Sequence, residues 1–171
     1  RDGGDGHGRV VVAVDPPATS GAGSDGCGIV VAARTDGGAA VLADLTLKPA
    51  APMAWATRAV RAYHDHGADC IVAEVNQGGE MVRAVLAQVD ANVPVRTVHA
   101  TRGKWVRAEP VAALYAQGRV THAAGLAALE DEMCSFGADG RSDGHSPDRL
   151  DAAVWAITEL MLRDGPRVRG V

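Results

Sequence analysis

Four carboxylates stand out by their positions. Asp15 closes the apolar run VVVAVD ahead of Pro16-Pro17, Glu74 interrupts CIVAEV, and Asp148 and Asp151 lie three residues apart behind Ser146-Pro147. Glutamate is rarely buried without a partner, so Glu74 among Cys, Ile, Val and Ala marks a place where charge is used. Two acids spaced i, i+3 at the start of a helix share one face within a turn. If the two apolar runs are neighbouring strands, Asp15 and Glu74 converge at their carboxyl ends, where open α/β sheets place ligands, and all four acids can meet. Like charges in a shared site resist joint ionisation, and divalent cations resolve that conflict. Oxygen ligands suit Mg²⁺ or Mn²⁺, and two such ions about 3.5–4 Å apart can activate a water and stabilise the leaving oxygen in phosphodiester hydrolysis. Plainer readings stay open. Asp15 before proline is also a strand-ending turn residue. Asp148 and Asp151 also complement a helix dipole, with Ser146 as N-cap and Pro147 at the first helical position.

A second group is basic. Arg102, Lys104 and Arg107 interleave with Trp105 and could reach a phosphate backbone, or form a solvated helix face with Trp105 in the core. Asn76 follows Glu74 in Asn76-Gln77-Gly78-Gly79, where it either orients a ligand or water, with glycines that let a nucleic acid approach, or simply belongs to a tight turn. The six histidines are scattered and form no i, i+4 pair, and no G-x-x-x-x-G-K-[ST] loop exists, so neither a helical zinc site nor P-loop nucleotide binding is supported.

The elements that must position these residues follow from apolar patterning. Val10 to Val14, Gly28 to Arg34, Ala39 to Leu47, Cys70 to Val75 and Val93 to Val98 read as five strands, the first three an antiparallel meander. Pro52 to His66, the stretch around Met81 to Val89, Lys104 to Gln117 with Pro110 in its path, Leu126 to Phe136 and Asp148 to Leu162 read as helices, with Gly137 to Ser146 a loop. Strand and helix alternate after Leu47, which implies parallel pairing through right-handed crossovers. The expected fold is α/β: a mixed five-stranded sheet flanked by helices.

At 171 residues the chain suits one domain, expected over residues 9–165, with a Gly- and Asp-rich disordered start at 1–8 and a tail at 166–171. The absence of Met at position 1 reads as the edge of an excised piece. Cys27, Cys70 and Cys134 show no C-x-x-C spacing, and two of them lie in or beside apolar runs, which suits buried thiols in a reducing compartment. No apolar run approaches the roughly 18 residues of a membrane span, so the expectation is a cytoplasmic protein. The net charge of −4 predicts weak binding of nucleic acid by this domain alone.

Taken in order, VVVAVDPPATSG...DGCGIVVA, IVAEVNQGGEMV, KWVRAEPVAALYAQGRVTH and SPDRLDAAVWAITEL closely resemble the nuclease domain of terminase large subunits from tailed phages and related prophage or gene-transfer particles, over nearly the whole chain. The resemblance implies a ribonuclease H-like fold in which Asp15, Glu74 and Asp148, with Asp151 assisting, bind two Mg²⁺ or Mn²⁺ ions and cleave double-stranded DNA during packaging. Some relatives carry a doubled Asp-Asp in the last helix. Here Asp148 and Asp151 stand apart, which leaves both as metal-ligand candidates. The family also implies an upstream ATPase motor in the same protein, a portal and a small terminase subunit as partners. Junction resolvases place acids similarly, so branched DNA is an alternative substrate. A DNA-positioning or portal-docking module with negligible activity of its own is the alternative from another class.

Overall fold

A computed structural model describes residues 7–17, 26–76 and 79–163. The expectations for residues 1–6 and 166–171, most of the Gly- and Ser-rich stretch after Pro17, and Gln77-Gly78 fall outside the described residues. Gly8 is within them, and its N–H donates to Arg34 O at 2.8 Å.

The strands are β1 (Val10–Asp15), β2 (Gly28–Thr35), β3 (Gly38–Asp44), β4 (Cys70–Val75), β5 (Val95–His99) and β6 (Val120–His122). The helices are α1 (Pro52–Asp65), α2 (Glu80–Val89), α3 (Lys104–Ala116), α4 (Ala127–Cys134) and α5 (Asp148–Met161). They form one sheet in the order β5-β4-β1-β2-β3-β6. β1, β2 and β3 pair antiparallel as a meander, while β4 pairs parallel with both β1 and β5. The strand count differs from the five expected: β6 adds a sixth, parallel to β3. With three residues it shows no period of its own and sits in what reads as the connection after α3. Pro110 lies inside α3 without ending it.

Strand alternation sorts the core into two layers. Val10, Val12 and Val14 of β1, with Ile29, Ile71 and Ala73, pack against α1 residues such as Trp55 and Ala59. Val11 and Ala13 of β1, with Val72 of β4, pack on Ala156 and Leu160 of α5. A third cluster joins α5 to α3 and α4 through Ile157, Leu114 and Leu129. α5 therefore covers the same sheet face to which Asp15 and Glu74 point, each two residues on from a residue that packs against it. Among the described residues no helix is long and apolar enough to cross a membrane. Cys27 and Cys70 are buried and Cys134 is exposed, all three as free thiols.

Candidate active site

β1 and β4 run side by side in parallel, with Val14 opposite Ala73, so Asp15 and Glu74 follow in step at their carboxyl ends. On its other side Asp15 pairs with Gly28 of β2. Gly28 is where α5 lands. A Cβ built on it would lie 2.0 Å from Asp148 O, and one on Gly26 would lie 2.9 Å from Asp148 Oδ2. Only glycine admits so close an approach, and it brings the first turn of α5 against the strand that carries Asp15. Asp151, one turn further along, is 2 % exposed. A cleft of about 500 Å³ opens here, lined by Asp15, Glu74, Asp148, Asn76, Lys48 and Lys104 among others.

The acids stay in one another's field. Burial, then the charges of Glu74, Asp151 and Asp148, against a lowering by Lys104, hold the Asp15 pKa well above its usual range. Burial also raises Asp151, opposed by the hydrogen bond and charge of Lys104. Lys104 Nζ lies 2.5 Å from Asp151 Oδ2. Burial pulls the ammonium pKa down, but Asp151, Asp15 and Asp148 outweigh it and raise it overall. Burial, with Asp15 and Asp148 nearby, pushes the Cys27 thiol up, so it is held protonated beside the acids.

The neighbours of each acid are specific. Ser146 Oγ donates to Asp148 Oδ1 at 2.9 Å and accepts from Lys104 Nζ at 3.4 Å. Trp155 Nε1 donates to Glu74 Oε2 at 2.8 Å, and Arg107 Nη2 lies 3.9 Å from Glu74 Oε1. The Arg107 guanidinium sits 5.0 Å from the centroid of the Trp155 ring. Among the described residues no three His, Cys, Asp or Glu side chains close into a ready-made metal cage. The acids surround the cleft with Lys104 among them. An all-oxygen donor set that crowds carboxylates, raises the pKa of Asp15 and already draws in one cation fits a hard divalent ion.

The residues singled out in the sequence separate by placement. Asp15, Glu74, Asp148 and Asn76 line the cleft, and Asp151 lies behind its wall, paired with Lys104. Arg102 is exposed just ahead of α3, and its carbonyl accepts from Arg107 Nε at 3.3 Å. Arg107 is largely enclosed against Glu74 and Trp155. Trp105 is not core: it is 42 % exposed and stacks on Phe136. Ser146 is not the N-cap of α5. That position is held by Pro147, with no side-chain cap, and the Ser146 hydroxyl is spent on Asp148. Sequence reasoning missed Trp155 and Lys48. Trp155 was findable, because it lies four residues after Asp151 and seven after Asp148 on one helical face. Lys48 follows β3 with no pattern to mark it.

Known proteins share this fold. The structure resembles the large terminase nuclease from thermophilic phage G20c (17 % identity, 88 % of this chain and 81 % of that one, TM-score 0.64). It likewise resembles the human cytomegalovirus terminase nuclease domain (15 % identity, 94 % and 87 %, TM-score 0.67). The large terminase of a second thermophilic bacteriophage also matches (11 % identity, TM-score 0.69), with 92 % of this chain covering 41 % of that longer one. At these identities the likeness speaks for the fold. No curated protein sequence matches significantly. The sequence profile of the family described as Terminase RNaseH-like domain matches residues 12–160, which takes in most of β1, all of β4 and nearly all of α5 with all four acids, and the chain therefore belongs to that family.

Proposed function

We propose that this domain is a metal-dependent endonuclease that cleaves double-stranded DNA during viral-type genome packaging. The observation that carries the reading is geometric: Asp15, Glu74 and Asp148 line one cleft with Asp151 behind its wall, close enough that burial and these charges raise the Asp15 pKa. Asp15, Glu74 and Asp148 would hold two Mg²⁺ or Mn²⁺ ions, with Asp151 assisting. Bound there, the ions supply Lewis-acid charge for the phosphate and lower the pKa of the attacking water. The relatives support the metal dependence: the phage G20c nuclease has been crystallised with bound magnesium and with bound cobalt, and the cytomegalovirus domain has been soaked with manganese.

The protein's own residues divide the remaining work. Lys104 neutralises Asp151 in the metal-free domain, and were Asp151 to assist in holding a divalent cation, Lys104 would be free to meet a DNA phosphate. Arg102, exposed beside it, contributes a backbone contact, and Asn76 at the cleft wall orients a ligand or water. Arg107 touches DNA only if it gives up Glu74. An ATPase motor of the same protein, the portal and the small terminase subunit belong to the reading as partners of packaging.

A second reading, a DNA-positioning or portal-docking module with negligible activity alone, is favoured by one observation, the net charge of −4, which argues against tight binding and turnover of DNA by this domain alone. One experiment decides between them. Supercoiled plasmid is incubated with the domain in Mn²⁺, Mg²⁺ or EDTA, beside Asp15→Asn. Nicking and linearisation should require metal and fall by about 10²- to 10³-fold or more in the variant, as when other charge-stabilising groups are removed. Cleavage that survives EDTA or the substitution sinks the nuclease site as drawn. Metal binding without cleavage moves the conclusion to the positioning module.

A further inference from the structure

The indole of Trp155 gives its single N–H to Glu74 Oε2 at 2.8 Å. Tryptophan has one donor and no acceptor, so this bond commits the side chain fully. A carbonyl of the surrounding core would have satisfied a half-buried indole just as well. The partner is instead a carboxylate that lines the cleft and whose side chain is 10 % exposed. The other oxygen, Oε1, faces Arg107 at 3.9 Å, beyond hydrogen-bonding distance, and so keeps its acceptor capacity. Arg107 also sits over the Trp155 ring, 5.0 Å from its centroid, a cation–π contact that pins the indole from the α3 side. Three elements thus fix one carboxylate: β4 carries it, α5 holds one oxygen, and α3 braces the holder.

We propose that Trp155 is a positioning residue for Glu74, fixing one carboxylate oxygen so that the other is presented to a divalent cation in the cleft. The inference rests on the metal-dependent reading above. Residues that hydrogen-bond a ligating carboxylate orient it before the ion arrives, and their loss typically costs roughly 10- to 100-fold in metal affinity. The spacing supports the assignment: Asp148, Asp151 and Trp155 fall on one face of α5, so the helix that delivers two acids also delivers the brace for a third.

Mn²⁺ affinity is measured by titration calorimetry on the wild type, Trp155→Phe, the chain with Trp155 replaced by benzothienylalanine, and Glu74→Ala. Thermal unfolding in EDTA is recorded for each. Benzothienylalanine keeps the shape of the indole and lacks only its N–H, so it remains decisive if Trp155→Phe loosens the fold. Expected is Mn²⁺ binding weaker by roughly 10- to 100-fold in both Trp155 replacements, an unchanged Tm for the isostere, and plasmid cleavage that recovers at high Mn²⁺. Wild-type affinity in the isostere, with Glu74→Ala impaired, overturns the role of Trp155 alone. Wild-type affinity in Glu74→Ala, or no Mn²⁺ binding by the wild type, removes the metal reading of Glu74 and this inference with it.

Discussion

Asp15 sits between two strands and opposite a helix that brings further acids, and the fold holds it there at a cost to itself. Its pKa in the folded, metal-free domain lies well above 3.8, through burial first and then Glu74, Asp151 and Asp148, with Lys104 opposing. The folded state therefore binds more protons than the unfolded chain over the interval between the two values. The stability from this group is present below the ordinary carboxylate value and is lost as pH rises through the raised one. In EDTA the Tm should fall as pH is raised from the ordinary carboxylate range toward neutrality. Asp15→Asn should flatten that fall and melt higher than wild type near neutral pH, by about 2–4 °C per kcal/mol of repulsion relieved. Saturating Mg²⁺ should restore the wild type. A variant that melts lower than wild type at neutral pH in EDTA would show that Asp15 is not under this repulsion. The placement of the acids was legible in part: Glu74 interrupts CIVAEV, Asp15 closes a strand, and Asp148 and Asp151 share a helical face. The residues that tune them were less so. The spacing of Trp155 from Asp148 and Asp151 puts it on their helical face, but an indole in an apolar helix also reads as packing, and nothing in the spacing of Lys104 and Arg107 tells a cation that meets DNA from one that meets an acid.

At the level of elements, the site depends on how closely α5 can lie on β2. The Cβ of an alanine at position 28 would fall 2.0 Å from Asp148 O, a backbone atom that cannot rotate away. Gly28→Ala should therefore shift the start of α5 and destabilise the domain by about 1–3 kcal/mol, read by urea denaturation. A displacement near 1 Å is enough to cost about 10²-fold in plasmid cleavage. Wild-type stability and cleavage in this variant would mean that the helix rests on the sheet less tightly than described. The long elements were readable because each buries a face with its own period, and parallel pairing after Leu47 followed from the alternation of strand and helix, whereas the adjacency of β1 and β4 stayed a condition that only the sheet order meets. β6 escaped because its three residues are held from outside, paired with Ala39, Ala40 and Val41 of β3, while just ahead of them Arg119 O accepts from Ala39 N at 2.9 Å and a Cβ at Gly38 would lie 1.9 Å from that same oxygen. Such a strand exists by docking on β3, which no local pattern announces.

Across the whole molecule charge is divided between the two ends of α5. Its first turn carries Asp148 and Asp151. Near its other end Glu159, 6 % exposed, meets Arg163 at 2.8 Å, Arg9 at 3.1 Å and Arg96 at 3.2 Å, and Arg34 Nη1 donates to Leu160 O at 2.7 Å. A net charge of −4 thus averages over an acidic cleft and an arginine-rich opposite pole. The helix is anchored at that pole through β2, β5 and the residue that leads into β1, which explains how its first turn, at the far end, can hold two buried or half-buried acids in place. The composition carried no trace of this, since Glu159 reads as one more charge on a helix.

The start of α3 carries cations where α5, which it packs against, carries acids: its first turn has no acid to complement the dipole but does have Lys104 and Arg107. Only Val111 and Leu114 of this helix are buried, whereas β1 is buried from Val10 to Val14 between two partner strands. Amide protection should follow that contrast: in hydrogen exchange without metal, the amides of β1 should be among the last to exchange and those of the first turn of α3 among the earliest of any helix. Lys104 at the head of the helix would then ride on a segment that can fray by itself, uncovering Asp151 while Glu74 stays held by Trp155 and the strands beneath stay closed. Equal protection in the two segments would mean instead that Lys104 leaves only when the whole domain opens.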